Sequence, residues 1–506
     1  MTSRSLLQRF TATVAGRTPA APAGRRSPRA LVAERTLRGV LELAVRIGEV
    51  MLSLGAAASD VTDVIRRVGR AYGVECQVDL TFTSILVAYE GGADAPGMSV
   101  LRVVENRAGD YGRLTRVVDL ARELVENPHE LSLAAAVDDP AAGDAVQEQL
   151  ERAHARLDAI VLAPQRYRRA FVTLLLAAMS AGVAVLLGGG PLVIVLAAAT
   201  TAVIDVVVHL LGRWGLPAFF QQVAGAATAT TVAVLLLAVI PGLPLELTTL
   251  PPSLVVASGI VVLLAGLSLV GAADDAINGF PVTASGRLLE VLLLTLGIVV
   301  GIGGVLDIAR RLGVDLVLVD TAANPWPLPV QTLGAAVVSG AWAMASQAGH
   351  RATLAAALTG AGGYVAFSLL SGAGIGAAPA STAAALLIGF AGEAGASRIR
   401  VPSLVTTVCA VIPPPPLPGL AIYRGMLDIV AEDGAGVGSE MLVEAGLIGL
   451  GLAAGVTLGE FLARRVGASH RVLLPAAARL RRRRPSLAGV AAEEKEEVTT
   501  ASDGRS

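Results

Sequence analysis

Charge is scarce in this chain. Of its 506 residues only 16% are Asp, Glu, Lys or Arg, against about 25% in soluble domains. Most of the charge lies in residues 1–169 and 464–506. The net charge of −1 therefore says little about partners. Lysine occurs once, at Lys495, while arginine is abundant, an imbalance of genome composition and not a functional choice. Two cysteines, Cys76 and Cys409, lie far apart, which excludes a disulfide framework and any metal-type Cys spacing. No Walker A pattern is present, which argues against an ATP-driven pump. A Gly-x-Ser-x-Gly elbow, a His-Glu-x-x-His zinc motif and a nucleic-acid module are absent too. Hence no catalytic residue, metal, cofactor or nucleic acid is expected. No signal peptide is expected either: Arg4, Arg9, Arg17, Arg25, Arg26 and Arg29 stand among Ala, Pro and Thr, with no apolar run of signal length.

Long apolar stretches are what the chain has. Ten of them fall between residues 170 and 463, at about 170–188, 191–211, 218–240, 253–272, 287–307, 328–346, 352–370, 377–395, 401–424 and 441–463. Each is near the twenty or so residues needed to cross a bilayer. The stretches form two sets of five that repeat each other. Residues 290–313 align without a gap on 444–467: Glu290 meets Glu444, Gly297 and Gly301 meet Gly451 and Gly455, and Ala309, Arg310 and Arg311 meet Ala463, Arg464 and Arg465. Pro252, Ser253, Leu254 and Val255 match Pro402, Ser403, Leu404 and Val405. Five is odd, so the second copy enters the membrane from the opposite side, as in the inverted repeats of secondary transporters. The expected fold is an all-α polytopic membrane protein, ten transmembrane helices as a 5+5 inverted repeat, preceded by a small soluble α+β domain.

The domains follow: a disordered leader at 1–30, a soluble cytoplasmic domain at 31–165, repeats at 166–313 and 314–466, and a disordered charged tail at 467–506. In the soluble domain Leu37, Leu41, Ala44, Val45, Gly48, Met51 and Leu52 recur at helical spacing, which predicts a helix over 31–54 closed by Gly55. Ser59 or Asp60 can cap a second helix carrying Val61, Val64, Ile65 and Val68. Strands are expected at 74–79, 82–89 and 99–104, and helices at 113–126 and 143–160. Arginines near span ends favour the face of span one by ten to three, which places both termini in the cytoplasm.

Charges inside apolar spans are costly and call for a reason. Asp205 lies mid-helix with His209 one turn on; the pair could relay protons, or Asp205 could bond a neighbouring helix while His209 sits at the surface. Glu290 and Glu444 open spans five and ten, where the helix dipole also favours a glutamate. Glu393 stands among small residues that allow close helix approach. The segment 274–287 joins spans four and five; Asp275, Asn278 and Thr283 lie beside helix-breaking Gly279 and Pro281, and Arg287 could hold a carboxylate. The alternative there is a plain hydrophilic loop. Four prolines, Pro413 to Pro416, followed by Pro418 and Gly419, break span nine. A broken helix at membrane depth survives only beside protein or water, which marks a substrate path. The two Gly-x-x-x-Gly pairs read as packing seams.

The chain resembles the threonine/serine exporter family. The resemblance rests on Gly48–Val64, on Arg66–Val74, on Val78–Ile85, on Asp275–Arg287 and on Pro418-Gly419, and covers about 31–463. It implies export of threonine and serine across the cytoplasmic membrane, driven by the proton motive force, with threonine, serine, protons and the lipid bilayer as partners. It leaves open a homo-oligomer and the role of the soluble domain. A membrane-bound hydrolase or a sensor acting through residues 31–165 is the competing reading.

Overall fold

The computed structural model describes residues 28–90, 97–104, 109–126, 140–239, 252–264, 266–313, 324–399, 403–411, 421–422, 425 and 435–472. Residues 1–27, 473–506, the proline run and Pro418-Gly419 lie outside the described residues, whereas 28–30 and 467–472, expected in the disordered leader and tail, are helical. The chain forms two compact units that interleave in sequence. One holds Met1–Met51, Asp60–Glu105 and Asp119–Leu162; the other holds Leu52–Ser59, Asn106–Val118 and Ala163–Ser506.

The first unit is α+β. Its elements are α1 (Pro28–Ser53), α2 (Ala58–Ala71), strands β1 (Gln77–Leu80), β2 (Ser84–Tyr89) and β3 (Met98–Val103), then α3 (Tyr111–Glu126) and α4 (Pro140–Leu162), some of whose ends reach into the second unit. Helical spacing puts Leu37, Leu41, Ala44 and Met51 of α1 on one buried face, with Val61, Ile65 and Val68 of α2 and Val146, Leu150 and Leu157 of α4. At Gly48 an added Cβ would sit 2.5 Å from Ile65 Cδ1, so the glycine sets how closely α1 and α2 approach. The sheet is antiparallel in the order β1-β2-β3, with Val78 opposite Val87 and Leu86 opposite Leu101. Ile85 and Val87 face inward, while Leu86 and Leu101 face out.

The second unit is helical: α5 (Arg169–Leu186), α6 (Pro191–Arg213), α7 (Ala218–Val239), α8 (Pro252–Gly259), α9 (Gly266–Ile277), α10 (Pro281–Arg311), α11 (Leu328–Ala345), α12 (His350–Gly372), α13 (Ala377–Ile399), α14 (Ser403–Ala410) and α15 (Ala435–Val472). Among the described residues eight helices are long and apolar enough to cross a membrane, or nine if a bent pair counts as one span. The chain is a mostly helical, multi-pass membrane protein. Large apolar side chains such as Leu174, Val195, Leu333 and Leu358 point outward, as a lipid-facing surface requires.

Span four differs from its expected form. The stretch forms α8, a 3-10 turn at Ile260–Leu263 and α9, with a 51° bend between its two halves, the form of a broken span or of a re-entrant loop. Leu264, at the break, has extended backbone. The hydrophilic loop expected over 274–287 is much shorter. Helix α9 runs on through Ile277 and α10 begins at Pro281, because Gly279 at φ +86° turns the chain in three residues and proline suits the first helical position.

One step in sequence carries Arg169–Leu186 onto Leu328–Ala345, Pro191–Arg213 onto His350–Gly372, and Ala218 onto Ala377. The turns correspond as well. Arg168 (φ −65°, ψ 148°) and Pro327 (φ −65°, ψ 151°) precede α5 and α11 with the same backbone. Gly188 at φ +82° corresponds to Gln347 at φ +64°, and Gly215 at +78° to Gly374 at +85°. Ala226, Val256, Ile298 and Ile302 centre one core, and Ala385, Ile388, Ile448 and Leu452 another.

The glycine seams hold both cores together. A Cβ on Gly301 would strike the Val223 carbonyl and lie 3.1 Å from Ala226 Cβ and 3.1 Å from Ala227 N. A Cβ on Gly455 would strike the Thr382 carbonyl and lie 2.9 Å from Ala385 Cβ and 3.0 Å from Leu386 N. Thus α10 meets α7, and α15 meets α13, in the same register. Small residues let these backbones touch where no hydrophobic effect drives helices together in lipid.

Candidate functional site

The corner between α9 and α10 brings together Asp274, Asp275, Asn278, Thr283 and Arg287. Asp275 is fully buried and accepts the N–H of Phe280 on its backbone carbonyl at 2.8 Å. Arg287, on α10, brings Nε to 3.1 Å from Asp275 Oδ2. A buried ion pair recovers its desolvation only with further hydrogen bonds. They come from residues 56–58, part of the same unit: Ala58 N–H donates to Asp275 Oδ1 at 3.0 Å, and Arg287 Nη2 donates to the Ala56 carbonyl at 3.2 Å. Ala58 opens α2, so Asp275 caps that helix from another part of the chain, a carboxylate at the positive end of a helix. The guanidinium needs Gly271, where a Cβ would lie 2.7 Å from Arg287 Nη1. Thr283 is fully buried at the start of α10.

Asp274, the preceding residue, serves the other side of the corner. Its Oδ1 accepts from Thr457 Oγ1 of α15 at 3.0 Å and from Asn278 Nδ2 at 3.1 Å. Adjacent helical residues point about 100° apart, so Asp274 ties α9 to α15 while Asp275 ties it to α10.

Asp205 forms a second cluster. Arg169 Nη2 lies 2.5 Å from Asp205 Oδ1, and Thr173 Oγ1 donates to Oδ2 at 2.7 Å. Both partners come from α5, where spacing of four residues puts them on one face. Asp205 turns to α5, and His209 is exposed and takes no part in its bonding. Glu393 is half-buried on α13 and pairs with Arg464 Nε at 3.3 Å; Arg464 also reaches Glu460 at 3.2 Å. Glu290 and Glu444 are exposed. Of the residues singled out in the sequence, the structure joins Asp275 to Arg287 and brings Asn278 alongside through Asp274. It keeps Asp205 and Glu393 in clusters of their own.

A third feature joins the two series of helices. The Tyr167 hydroxyl donates to the Ala348 carbonyl at 3.3 Å, and the Trp326 indole N–H donates to the Gly189 carbonyl at 2.9 Å. The same sequence step links Tyr167 to Trp326 and Gly189 to Ala348. Each residue before one helix caps the turn after the other. So α5 and α11 lie antiparallel, crossing where a Cβ on Gly182 would lie 2.9 Å from the Gly334 carbonyl. Asn324 Nδ2 also binds the carbonyls of Val185 and Leu186, and Gln347 Oε1 accepts the Tyr167 N–H at 2.8 Å. Next to Gln347, the Ser346 carbonyl accepts the N–H of Tyr111 at 2.8 Å. Burial pushes the Tyr111 phenol well above its ordinary range, so it stays neutral.

Sequence reasoning missed Thr173, Thr457, Tyr167, Trp326 and Gln347. Polarity in an apolar span flagged Asp205, but which helix would face it is a tertiary fact. Among the described residues no group of three or more His, Cys, Asp or Glu could hold a metal ion.

Comparison with known proteins decides the lineage. The ThrE model of threonine/serine exporters matches residues 42–138 and 143–309, and a second model, "Threonine/Serine exporter, ThrE", matches 331–462. The chain belongs to the threonine/serine exporter family. A relative from Mycobacterium tuberculosis, named "Probable threonine/serine exporter", is 36% identical over 456 residues, covering 88% of this chain and 81% of that protein. The threonine/serine exporter of Corynebacterium glutamicum is 34% identical over 470 residues, 92% of this chain and 91% of its own. No solved structure matches. The exporter models leave a gap between residues 309 and 331, ahead of α11, where the helix series restarts. The corner with Asp275 and Arg287 falls within the first model, and Glu393 and Thr457 within the second.

Proposed function

We propose that this chain exports threonine and serine across the cytoplasmic membrane, coupled to protons, through ten spans arranged as a 5+5 inverted repeat with both termini cytoplasmic. It works as a transporter and not as an enzyme. Family membership supports the substrate class, since both relatives carry the name threonine/serine exporter. The observation that carries the architecture is the reciprocal capping of Tyr167 on Ala348 and Trp326 on Gly189. Two equivalent helices that cap each other in antiparallel fashion are related by a two-fold axis across them. An axis in that direction lies in the membrane plane, the hallmark of inverted-topology transporters. The matched seams at Gly301 and Gly455 support the same reading.

For the substrate, the corner offers opposite charges. A carboxylate such as Asp275 suits an ammonium group, and a guanidinium such as Arg287 suits a carboxylate. For the proton, Asp205 is the proposed carrier. Both its oxygens are occupied, by Arg169 and Thr173. Protonation would remove the charge that holds Arg169 and loosen α5 from α6, linking a proton to a helix movement. His209, Glu290, Glu393 and Glu444 remain secondary candidates, and Pro418 and Gly419 are proposed to line the path.

Inverted membrane vesicles test the reading. Labelled threonine should enter them when a proton gradient is imposed and should stop entering when an uncoupler is added. Equal uptake by vesicles lacking the protein would overturn it. Reporters fused within 241–252 and at 345–351 should behave as external and internal respectively.

A further inference from the structure

We infer that the backbone of Ala56–Ala58 stands in for substrate at the Asp275–Arg287 pair and closes that site until an amino acid displaces it. The inference rests on the transport reading above and deepens it, by naming the site and the element that guards it.

An α-amino acid presents an ammonium donor and a carboxylate acceptor on one short backbone. Residues 56–58 present the same pair in neutral form. The Ala58 N–H points at Asp275 Oδ1 at 3.0 Å, and the Ala56 carbonyl accepts from Arg287 Nη2 at 3.2 Å. The ion pair itself is closed by Arg287 Nε at 3.1 Å from Asp275 Oδ2. Each contact made by the peptide is therefore one that a zwitterion makes with full charges. The peptide contacts are already charge-assisted through Asp275 and Arg287, but a zwitterion replaces each neutral partner with a full opposite charge and adds Coulomb attraction, so a free amino acid can compete with the segment.

The segment is built to leave. Its side chains at the contact are all alanine; Ala56 and Ala58 are buried, but each gives up little apolar area on leaving. Gly55 precedes it at φ +95°, with open space where a Cβ would be, and forms the pivot between α1 and α2. Ala57 is only half-buried. An ion pair with Asp275 fully and Arg287 largely buried is a poor stabiliser compared with apolar packing. Fixed docking of a helix end would be served as well by neutral side chains. Charged groups in such a place mark function more often than structure.

The test reads movement and transport in the same vesicles. Cysteine is placed at Ala57 in a chain carrying Cys76→Ser and Cys409→Ala, and its reaction with a water-soluble maleimide is timed in inverted vesicles. Threonine should speed the reaction several-fold, because it drives the segment off the pair. Arg287→Gln should remove that acceleration. Ala58→Pro deletes the donated N–H while suiting the first position of α2, and should lower the KM for threonine several-fold, because less of the protein is held closed. If labelling at position 57 ignores threonine while those vesicles transport it, the segment is a fixed dock: the inference fails and the transport reading stands. An unchanged KM in a folded Ala58→Pro protein also overturns the inference. Absence of threonine transport by the wild type overturns both.

Discussion

Tyr167 and Trp326 perform one task at two places. The phenol of the first and the indole of the second each donate to a carbonyl in the turn that follows the opposite helix, at 3.3 Å and 2.9 Å. Neither residue resembles the other in shape, yet both are aromatic with a polar tip, the type that suits a boundary between apolar and wet surroundings.

The two caps should contribute similar amounts to stability. Tyr167→Phe and Trp326→Phe each remove one donor and should each cost about 1 kcal/mol, seen as similar drops in thermal unfolding of the detergent-purified protein. A large loss for one and none for the other would break the equivalence of the two turns.

The seams should be intolerant at matched positions and tolerant beside them. Gly301→Leu and Gly455→Leu drive a side chain into the carbonyls of Val223 and Thr382. Overpacking of this kind costs on the order of 1–3 kcal/mol, or more against backbone, so both variants should run as aggregates on size exclusion. Gly303→Leu, where nothing lies within 4 Å, should run as wild type.

Asp205→Asn keeps the side chain's size and one acceptor but removes its charge and titration. The variant should remain in the membrane and lose threonine uptake driven by a proton gradient. Retained proton-driven uptake would reduce Asp205 to a structural partner of Arg169.

His154 gives the first unit a pH dependence. Burial, then the nearby Arg46, lower its pKa below the ordinary 6.5. A histidine with a lowered folded pKa binds more protons when unfolded, so its contribution is intact above pH 6.5 and is lost as pH falls below that value. Amide hydrogen exchange of residues 143–160 should therefore quicken on moving from pH 7.5 to 5.5, after correction for intrinsic rates. His154→Gln should flatten the change.

The helices of the second unit were legible because apolar length is a strong signal, and the seams were legible because Gly297, Gly301, Gly451 and Gly455 recur in register. The correspondence of α5, α6 and α7 with α11, α12 and α13 was not. At equivalent places Gly188 faces Gln347, Pro191 faces His350, and Asp205 faces Tyr364. The backbone path is shared there and the chemistry is not, so letters alone could not align it. The bend in span four escaped for a similar reason, since Leu264 at the break is as apolar as its neighbours. Asp275 and Arg287 stood out in the sequence through their motif. Their contact with residues 56–58 joins segments more than two hundred positions apart, which no local pattern encodes.

Gln347 gives the two ends of this pair of helices different stiffness. Gly188 takes its left-handed backbone at no steric cost, whereas a glutamine there is strained by on the order of 1 kcal/mol and held by the Tyr167 N–H. The outline of the two turns is the same, but one is a relaxed hinge and the other a loaded spring. Strain is thus confined to one of two turns with the same outline, so the turn at Gln347 should answer substitution by glycine, and the turn at Gly188 substitution by glutamine, in opposite directions.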